Sequence, residues 1–291
     1  MARVPVRKTY KLLIAGQFVR TESGRAYRAT APSGEFLAHV PLGSRKDVRD
    51  AVKAARGALA GWAGKTASNR GQILYRAAEM LEERRAEFAV ALTRSAGVTR
   101  AAAAREVAVS VDRLVHFAGW ADKLAAILGT VNPVAAPYFD FSVPEPTGVV
   151  GIVVPEIPAL LPLVTRLAAV LVPGNTTVAI ASETTPVPAL LLGEVIGTSD
   201  VPAGVVNLLC GRKAELVGAL ATHRDVDAMD DGSGDPRLSK MIEEEAADRV
   251  RRISRPAAVT PADWFSARKT EGLAALEAFV EIKTTWHPAG S

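Results

Sequence analysis

The sequence predicts an α/β fold built on a doubly wound parallel sheet, and three observations lead there. Residues 148–154 form a continuous apolar run, the pattern of a strand covered on both faces. From that run onward, short apolar segments alternate with helical stretches, as βαβ units do. With 291 residues, 48% apolar and only 5% aromatic, the Ala- and Val-rich chain can bury a large core in close-packed layers.

Residues 10–43 read as short strands and turns. Leu12, Leu13 and Ile14 precede an Ala15-Gly16 turn, and Pro32-Ser33-Gly34 makes another. Three helices follow. Ser44 with Asp47 caps the first, whose inward stripe is Val48, Ala51, Val52, Ala55 and Leu59. Ser68 caps the second, which turns Ile73, Leu74, Ala77 and Leu81 inward. The third spans residues 99–126 with Val107, Val111, Leu114, Val115 and Ala118 as its stripe. Residues 138–144 then alternate: Phe139, Phe141 and Val143 face one way, Asp140 and Ser142 the other. That is a half-exposed antiparallel strand.

Beyond 148–154 the pattern gives a helix, a strand at 176–181 and a helix at 186–196. A strand at 205–209, a helix at 214–222 and a short strand at 226–229 come next. A helix at 237–249 and a last strand at 250–254 complete the alternation. A sheet of this kind binds ligands at the carboxyl ends of its strands. Residues 255–261, with Pro256 and Pro261, read as a linker. A helix at 263–277 and a strand at 279–286 follow.

The net charge is +4, with Arg interleaved with acid along amphipathic helices. No run of five or six basic residues and no interleaving of aromatics occurs, so no nucleic-acid partner is expected. One cysteine, Cys210, excludes an intramolecular disulfide and a multi-cysteine metal site. Glu243-Glu244-Glu245 has no His at ligand spacing and reads as a solvated helix face, so no metal is expected. His116 lies beside an apolar helix face and reads as structural; His39, His223 and His287 have no apparent partners. The most apolar stretch, 148–172, is broken by Pro155, Glu156, Pro158, Pro162 and Arg166, so no membrane span is expected. Residues 1–8 carry no apolar core of signal-peptide length, and the expectation is a cytoplasmic protein.

Several motifs occur in a fixed order. Pro146-Thr147-Gly148-Val149-Val150-Gly151-Ile152-Val153-Val154-Pro155 runs on to Leu171-Val172-Pro173-Gly174-Asn175-Thr176-Thr177-Val178. Glu183-Thr184-Thr185-Pro186, Val201-Pro202-Ala203-Gly204-Val205-Val206-Asn207 and Thr222-His223-Arg224-Asp225-Val226-Asp227 follow, and Phe279 to Trp286 closes the set. In this order they resemble the aldehyde dehydrogenase superfamily. The resemblance implies a Rossmann-like nucleotide-binding domain with N-terminal helices and an oligomerisation strand region. It divides the chain into 1–137, N-terminal strands and helices; 138–147, an oligomerisation strand; 148–254, the βαβ core; 255–272, a linker replacing the catalytic domain; and 273–291, a C-terminal oligomerisation strand.

The same resemblance implies NAD or NADP as cofactor, with Pro155, Glu183, Pro202, Gly204, Gly232 and Ser233 as its contacts. It also implies losses. Ile157 stands at the family's oxyanion-hole asparagine, Ile180 at its ribose-binding lysine and Glu156 at its tryptophan. The segment with the general base has no counterpart after Ser254, and 255–269 stand where the domain with the nucleophilic cysteine would be. An isoleucine cannot donate to an oxyanion, a contribution of ~3–4 kcal/mol per donor. Asp230, Asp231 and Asp235 put acid where pyrophosphate would sit. A carboxylate ~5 Å from a phosphate charge costs ~3 kcal/mol at an effective dielectric of ~20; the alternative is ordinary helix N-terminal charge. Cys210 has Arg212 and Lys213 nearby, but a buried small hydrophobe is the alternative to a nucleophile. The expectation is a non-catalytic subunit that binds NAD or NADP weakly or not at all. It would assemble with itself or with a full-length aldehyde dehydrogenase. A dinucleotide-binding module and a working NAD(P)-dependent aldehyde oxidoreductase are the alternatives.

Overall fold

The computed structural model describes residues 8–247, 251–258 and 260–289. The chain opens with four short strands: β1 (Leu12–Ile14), β2 (Gln17–Val19), β3 (Ala26–Thr30) and β4 (Phe36–Pro41). Four helices follow: α1 (Arg45–Ala63), α2 (Ala67–Glu83), α3 (Arg85–Ala96) and α4 (Arg100–Ala118), then the short α5 (Leu124–Leu128). Strands β5 (Thr130–Asn132) and β6 (Tyr138–Pro146) lead into the alternating part. That part is β7 (Val149–Val153), α6 (Leu161–Leu171), β8 (Thr176–Ile180), α7 (Val187–Thr198) and β9 (Val206–Leu209). It continues with α8 (Lys213–Thr222), β10 (Ala228–Asp231), α9 (Pro236–Ala247) and β11 (Arg252–Ser254). Helices α10 (Ala267–Thr270) and α11 (Ala274–Glu277) precede β12 (Val280–Pro288).

The main sheet has the order β11-β10-β7-β8-β9-β1-β2. Its first five strands are parallel, and β1 joins β9 antiparallel. All residues of β7, β8, β9 and β10 are buried, as expected where helices cover both faces. The order reverses beside β7: β8 and β9 lie on one side, β10 and β11 on the other. The crevice opens at the carboxyl ends of these strands.

Several elements differ from the sequence expectation. Four long helices precede β5, because Arg84 breaks the run after α2 and α3 follows at once. Thr66, not Ser68, caps α2, accepting from the Asn69 N–H at 3.2 Å. The third expected helix stops at Ala118. Its buried face is rotated from the expected stripe: Val115 is exposed, while Glu106, Ser110 and Arg113 are buried. Glu106 explains part of this, since its carboxylate accepts from the Leu160 and Leu161 N–H groups (2.8 and 3.1 Å) and so caps α6. The strand expected at 226–229 lies at Ala228–Asp231.

The helix expected over 263–277 is instead a single turn at Asp263–Phe265 followed by α10 and α11. This segment packs on the body. Trp264 is buried with Ala258 against Leu161 of α6 and Val109 of α4. Its carbonyl accepts from Arg113 (3.3 Å), and Arg113 also pairs with Glu271. His116 accepts from the Trp120 indole N–H at 3.0 Å.

β12 pairs antiparallel with β6 along its whole length, and β5 borders the other side of β6. Asn175, fully buried, joins this second sheet to the first. Its Oδ1 accepts from the Gly148 N–H (2.8 Å), and its Nδ2 donates to the carbonyls of Val170 (3.0 Å) and Phe279 (2.9 Å). One side chain therefore fixes the start of β7, the end of α6 and the entry to β12. Replacing Asn175 with Ala leaves buried backbone groups without partners. We expect a loss of about 3 kcal/mol, read as a lower midpoint in urea unfolding.

Candidate functional site

The crevice is lined by the loops after β7, β8, β9 and β10. After β7, Pro155 is followed by Glu156 and then by Ile157, whose side chain is 54% exposed. After β8 come Ser182, Glu183 and Thr184, and after β9 the turn Cys210-Gly211-Arg212-Lys213 opens α8. Gly211 sits at φ +155, where a Cβ would come within 3.0 Å of Gly43 N, so the turn depends on glycine.

Polar groups of the chain itself satisfy one another here. Glu156 pairs with the Lys213 ammonium and accepts from the Ser182 hydroxyl (2.7 Å), the Thr184 N–H (2.8 Å) and the Thr184 hydroxyl (2.7 Å). Lys213, itself buried, also donates to the Val154 carbonyl at 2.7 Å. Partial burial pushes the Glu156 carboxyl up, but the Lys213 charge and the Thr184 hydrogen bonds outweigh it and hold the group at about 2. Glu183 accepts from Arg212 (2.6 Å) and from the Lys213 N–H (2.9 Å). Both crevice carboxylates are thus engaged by Arg212 and Lys213 of the α8 turn.

The next loop, at the start of α9, is also self-satisfied. Asp231 accepts from the Ser233 N–H (3.2 Å) and hydroxyl (2.6 Å) and from the Ser239 hydroxyl. Asp235 accepts from the Arg237 N–H at 2.9 Å, occupying the helix N-terminus. Arg255 pairs with Glu243 and lies 3.6 Å from Asp231. The space left between Pro155, Ile157, Asp231, Gly232, Arg255 and Trp264 is a cavity of about 180 Å³. Pockets for drug-sized ligands run from roughly 300 Å³ upward.

Three of the sequence candidates move. Asp230 does not face the crevice: it is fully buried and forms a two-pronged pair with Arg166 (2.6 and 2.8 Å) of α6. Burial pushes its carboxyl up, and the Arg166 charge opposes that. Pro202 and Gly204 precede β9, so they lie at its amino end, away from the crevice. Gly204, at φ +84, packs where a Cβ would meet the Ala54 carbonyl of α1 at 2.7 Å. The residues that do border Glu183 are Arg212 and Lys213, beyond the other end of the same strand. The sequence signal for them was available: in a parallel sheet only the loop after a strand reaches the crevice.

Cys210 is fully buried and donates to the Pro41 carbonyl at 3.1 Å. Burial, only partly offset by a hydrogen bond with Tyr27, pushes its thiol up to about 12. A thiol so placed is closed off from solvent in this chain. Two histidines expected to be alone have neighbours: His39 packs on Phe36 with ring centroids 4.9 Å apart, and His223 accepts from the Asp225 N–H at 3.2 Å. Among the described residues no group of His, Cys, Asp and Glu could hold a metal, and no helix is long and apolar enough to cross a membrane.

The model of the aldehyde dehydrogenase family matches residues 18–255. The chain belongs to this family. It is 32% identical over 250 residues to the putative aldehyde dehydrogenase DhaS of Bacillus subtilis, covering 84% of this chain and 50% of that protein. It is 34% identical over 230 residues to the cytosolic 10-formyltetrahydrofolate dehydrogenase of Mus musculus, covering 77% of this chain and 25% of the relative. Among solved structures, HpcC from Thermus thermophilus superposes with a TM-score of 0.81 at 30% identity, over 86% of this chain and 48% of that one. The NAD+ complex of aldehyde dehydrogenase from Bacillus cereus superposes with a TM-score of 0.80 at 29% identity, over 86% and 51%. The chain therefore spans about half the length of DhaS and about a quarter of the formyltetrahydrofolate dehydrogenase.

The Glu156–Lys213 pair gives a pH signature. The folded carboxyl is held near 2, below its ordinary value of 4.5. Its contribution is therefore full above 4.5 and fades as pH falls toward 2. Glu156→Gln should lower stability by about 1.5–3 kcal/mol at neutral pH, measured by chemical unfolding. The gap between variant and wild type should close as the pH is lowered through that window.

Proposed function

We propose that this member of the aldehyde dehydrogenase family is a non-catalytic subunit, with a dinucleotide crevice filled by its own side chains and a role in assembly. The observation that carries the reading is the occupation of Glu183 and Glu156 by Arg212 and Lys213. By resemblance, Glu183 would hold the cofactor ribose, yet here it neutralises a cation of the same chain. A dinucleotide would have to displace Arg212 and leave Glu156 and Lys213 rearranged beside it. The carboxylates of Asp231 and Asp235 hold the N–H groups that a pyrophosphate would need.

The chemistry points the same way. Exposed Ile157 offers no donor to an oxyanion, and Ile180 is buried within β8. Cys210 is neither ionised nor accessible. The residues 255–272 place Trp264 over the start of α6 rather than a nucleophile over the crevice. What remains suited to a task is the β5-β6-β12 sheet, which leaves Val131, Phe139, Ile282 and Trp286 exposed. We assign it to assembly with a further copy or with a full-length aldehyde dehydrogenase.

Calorimetry should show no binding of NAD or NADP at millimolar ligand, and the pure chain should not oxidise aldehydes. Saturable binding at lower concentration would favour the dinucleotide-binding reading. Turnover that disappears in Cys210→Ala would establish the oxidoreductase and overturn the proposal; we expect that variant to change no activity.

A further inference from the structure

The free edge of β12 carries a pattern that is complementary to itself. The β6–β12 ladder shows which backbone groups face outward. Thr147 N–H donates to the Phe279 carbonyl and Ala289 N–H to the Pro137 carbonyl, so the odd-numbered residues of β12 bond inward to β6. The even-numbered residues point their N–H and C=O groups away from β6. Arg252 confirms the direction by donating to the outward Val280 carbonyl at 2.6 Å. Among the described residues Ile282, Thr284 and Trp286 have no backbone partner on this side, and Pro288 ends the row because it has no N–H. Of the whole strand only Val280 is buried.

From this edge we propose that β12 pairs antiparallel with β12 of a second copy of this chain, about a two-fold axis through Thr284. This rests on the reading of the strand as an assembly element and names its partner and register. Thr284 then faces Thr284, and Ile282 faces Trp286 of the second copy, each exchanging both backbone hydrogen bonds. Ile282 and Trp286 are 53% and 57% exposed in the single chain. In the pair, Ile282 covers the Trp286 ring of the other copy, which already packs edge-on against Tyr138 at 5.9 Å. On the opposite face Glu281 comes beside His287, and Lys283 beside Thr285. Neighbouring registers are worse. Centring on Lys283 opposes two lysines, and centring on Thr285 sets Ile282 against Pro288, which cannot donate. A two-fold axis also closes the assembly at two copies instead of a fibre, and it removes the long free edge.

Sedimentation and light scattering of the pure chain should give twice the 30.7 kDa chain mass. Thr284→Pro removes the outward N–H together with the 2.8 Å hydroxyl contact to Ser142, so it should yield a folded monomer, whereas Thr284→Val, which loses the hydroxyl contact alone, should stay dimeric. Thr284→Cys should form a covalent dimer under mild oxidation, because facing hydrogen-bonded residues lie ~5.5 Å apart, within disulfide reach. Lys283→Cys should stay reduced, its two copies being offset beyond ~7 Å. A monomeric wild type overturns the inference. A dimer that survives Thr284→Pro, or that cross-links at Lys283→Cys instead, also overturns it but leaves the assembly reading standing. So does a mixed complex with a full-length aldehyde dehydrogenase that forms in place of the dimer. Cofactor binding, measured separately, tests the other half of the proposed function.

Discussion

The two larger sheets are held to each other by the fully buried amide of Asn175. A side-chain amide taken out of water must find partners for its donors and its acceptor. Here those partners belong to three different elements: Gly148 before β7, Val170 in α6 and Phe279 before β12. A residue more than a hundred positions away in sequence is thus held at the edge of the core. The β5-β6-β12 sheet projects from that point, so the geometry of the exposed strands follows from one hydrogen-bond hub.

In the crevice, the frame and the charged groups are set by different forces. Strand, turn and helix are set by apolar packing, and all of β7, β8 and β9 are buried. The loops at their carboxyl ends carry little of that packing, so their charges are free to vary. Lys213 and Arg212 neutralise Glu156 and Glu183, and Ser233, Ser239 and Arg255 surround Asp231. Each of these crevice carboxylates therefore has a cation or hydroxyl partner within the chain itself.

The second sheet carries the opposite signature. Asp140 and Ser142 of β6 are the inward side of the strand, bonded to Asn132 and Thr284, while Phe139 lies exposed. A strand that turns its polar side in and its aromatic side out contradicts burial in a single chain. It leaves apolar area of the strand open to solvent, which is the basis of the proposed assembly role.

The sequence by itself determined the α/β class, the order of β7 to β11 with their helices, the first helix cap and the alternation of 138–144. These follow from local periodicity, which is a property of neighbouring residues. It also supplied the motifs by which the family was read, and it located Pro155, Glu183, Gly232 and Ser233 near strand ends. Only the tertiary structure decided that Asp230 turns away to Arg166, that Pro202 and Gly204 sit at the amino end of β9, and that Arg212 and Lys213 pair with Glu183 and Glu156. It alone showed that Trp264 packs on α6 and that the stripe of α4 is polar where Glu106 caps a neighbour. The reason is the same in each case. A charged or polar side chain takes its place from partners distant in sequence, and no local pattern encodes which of them it will meet.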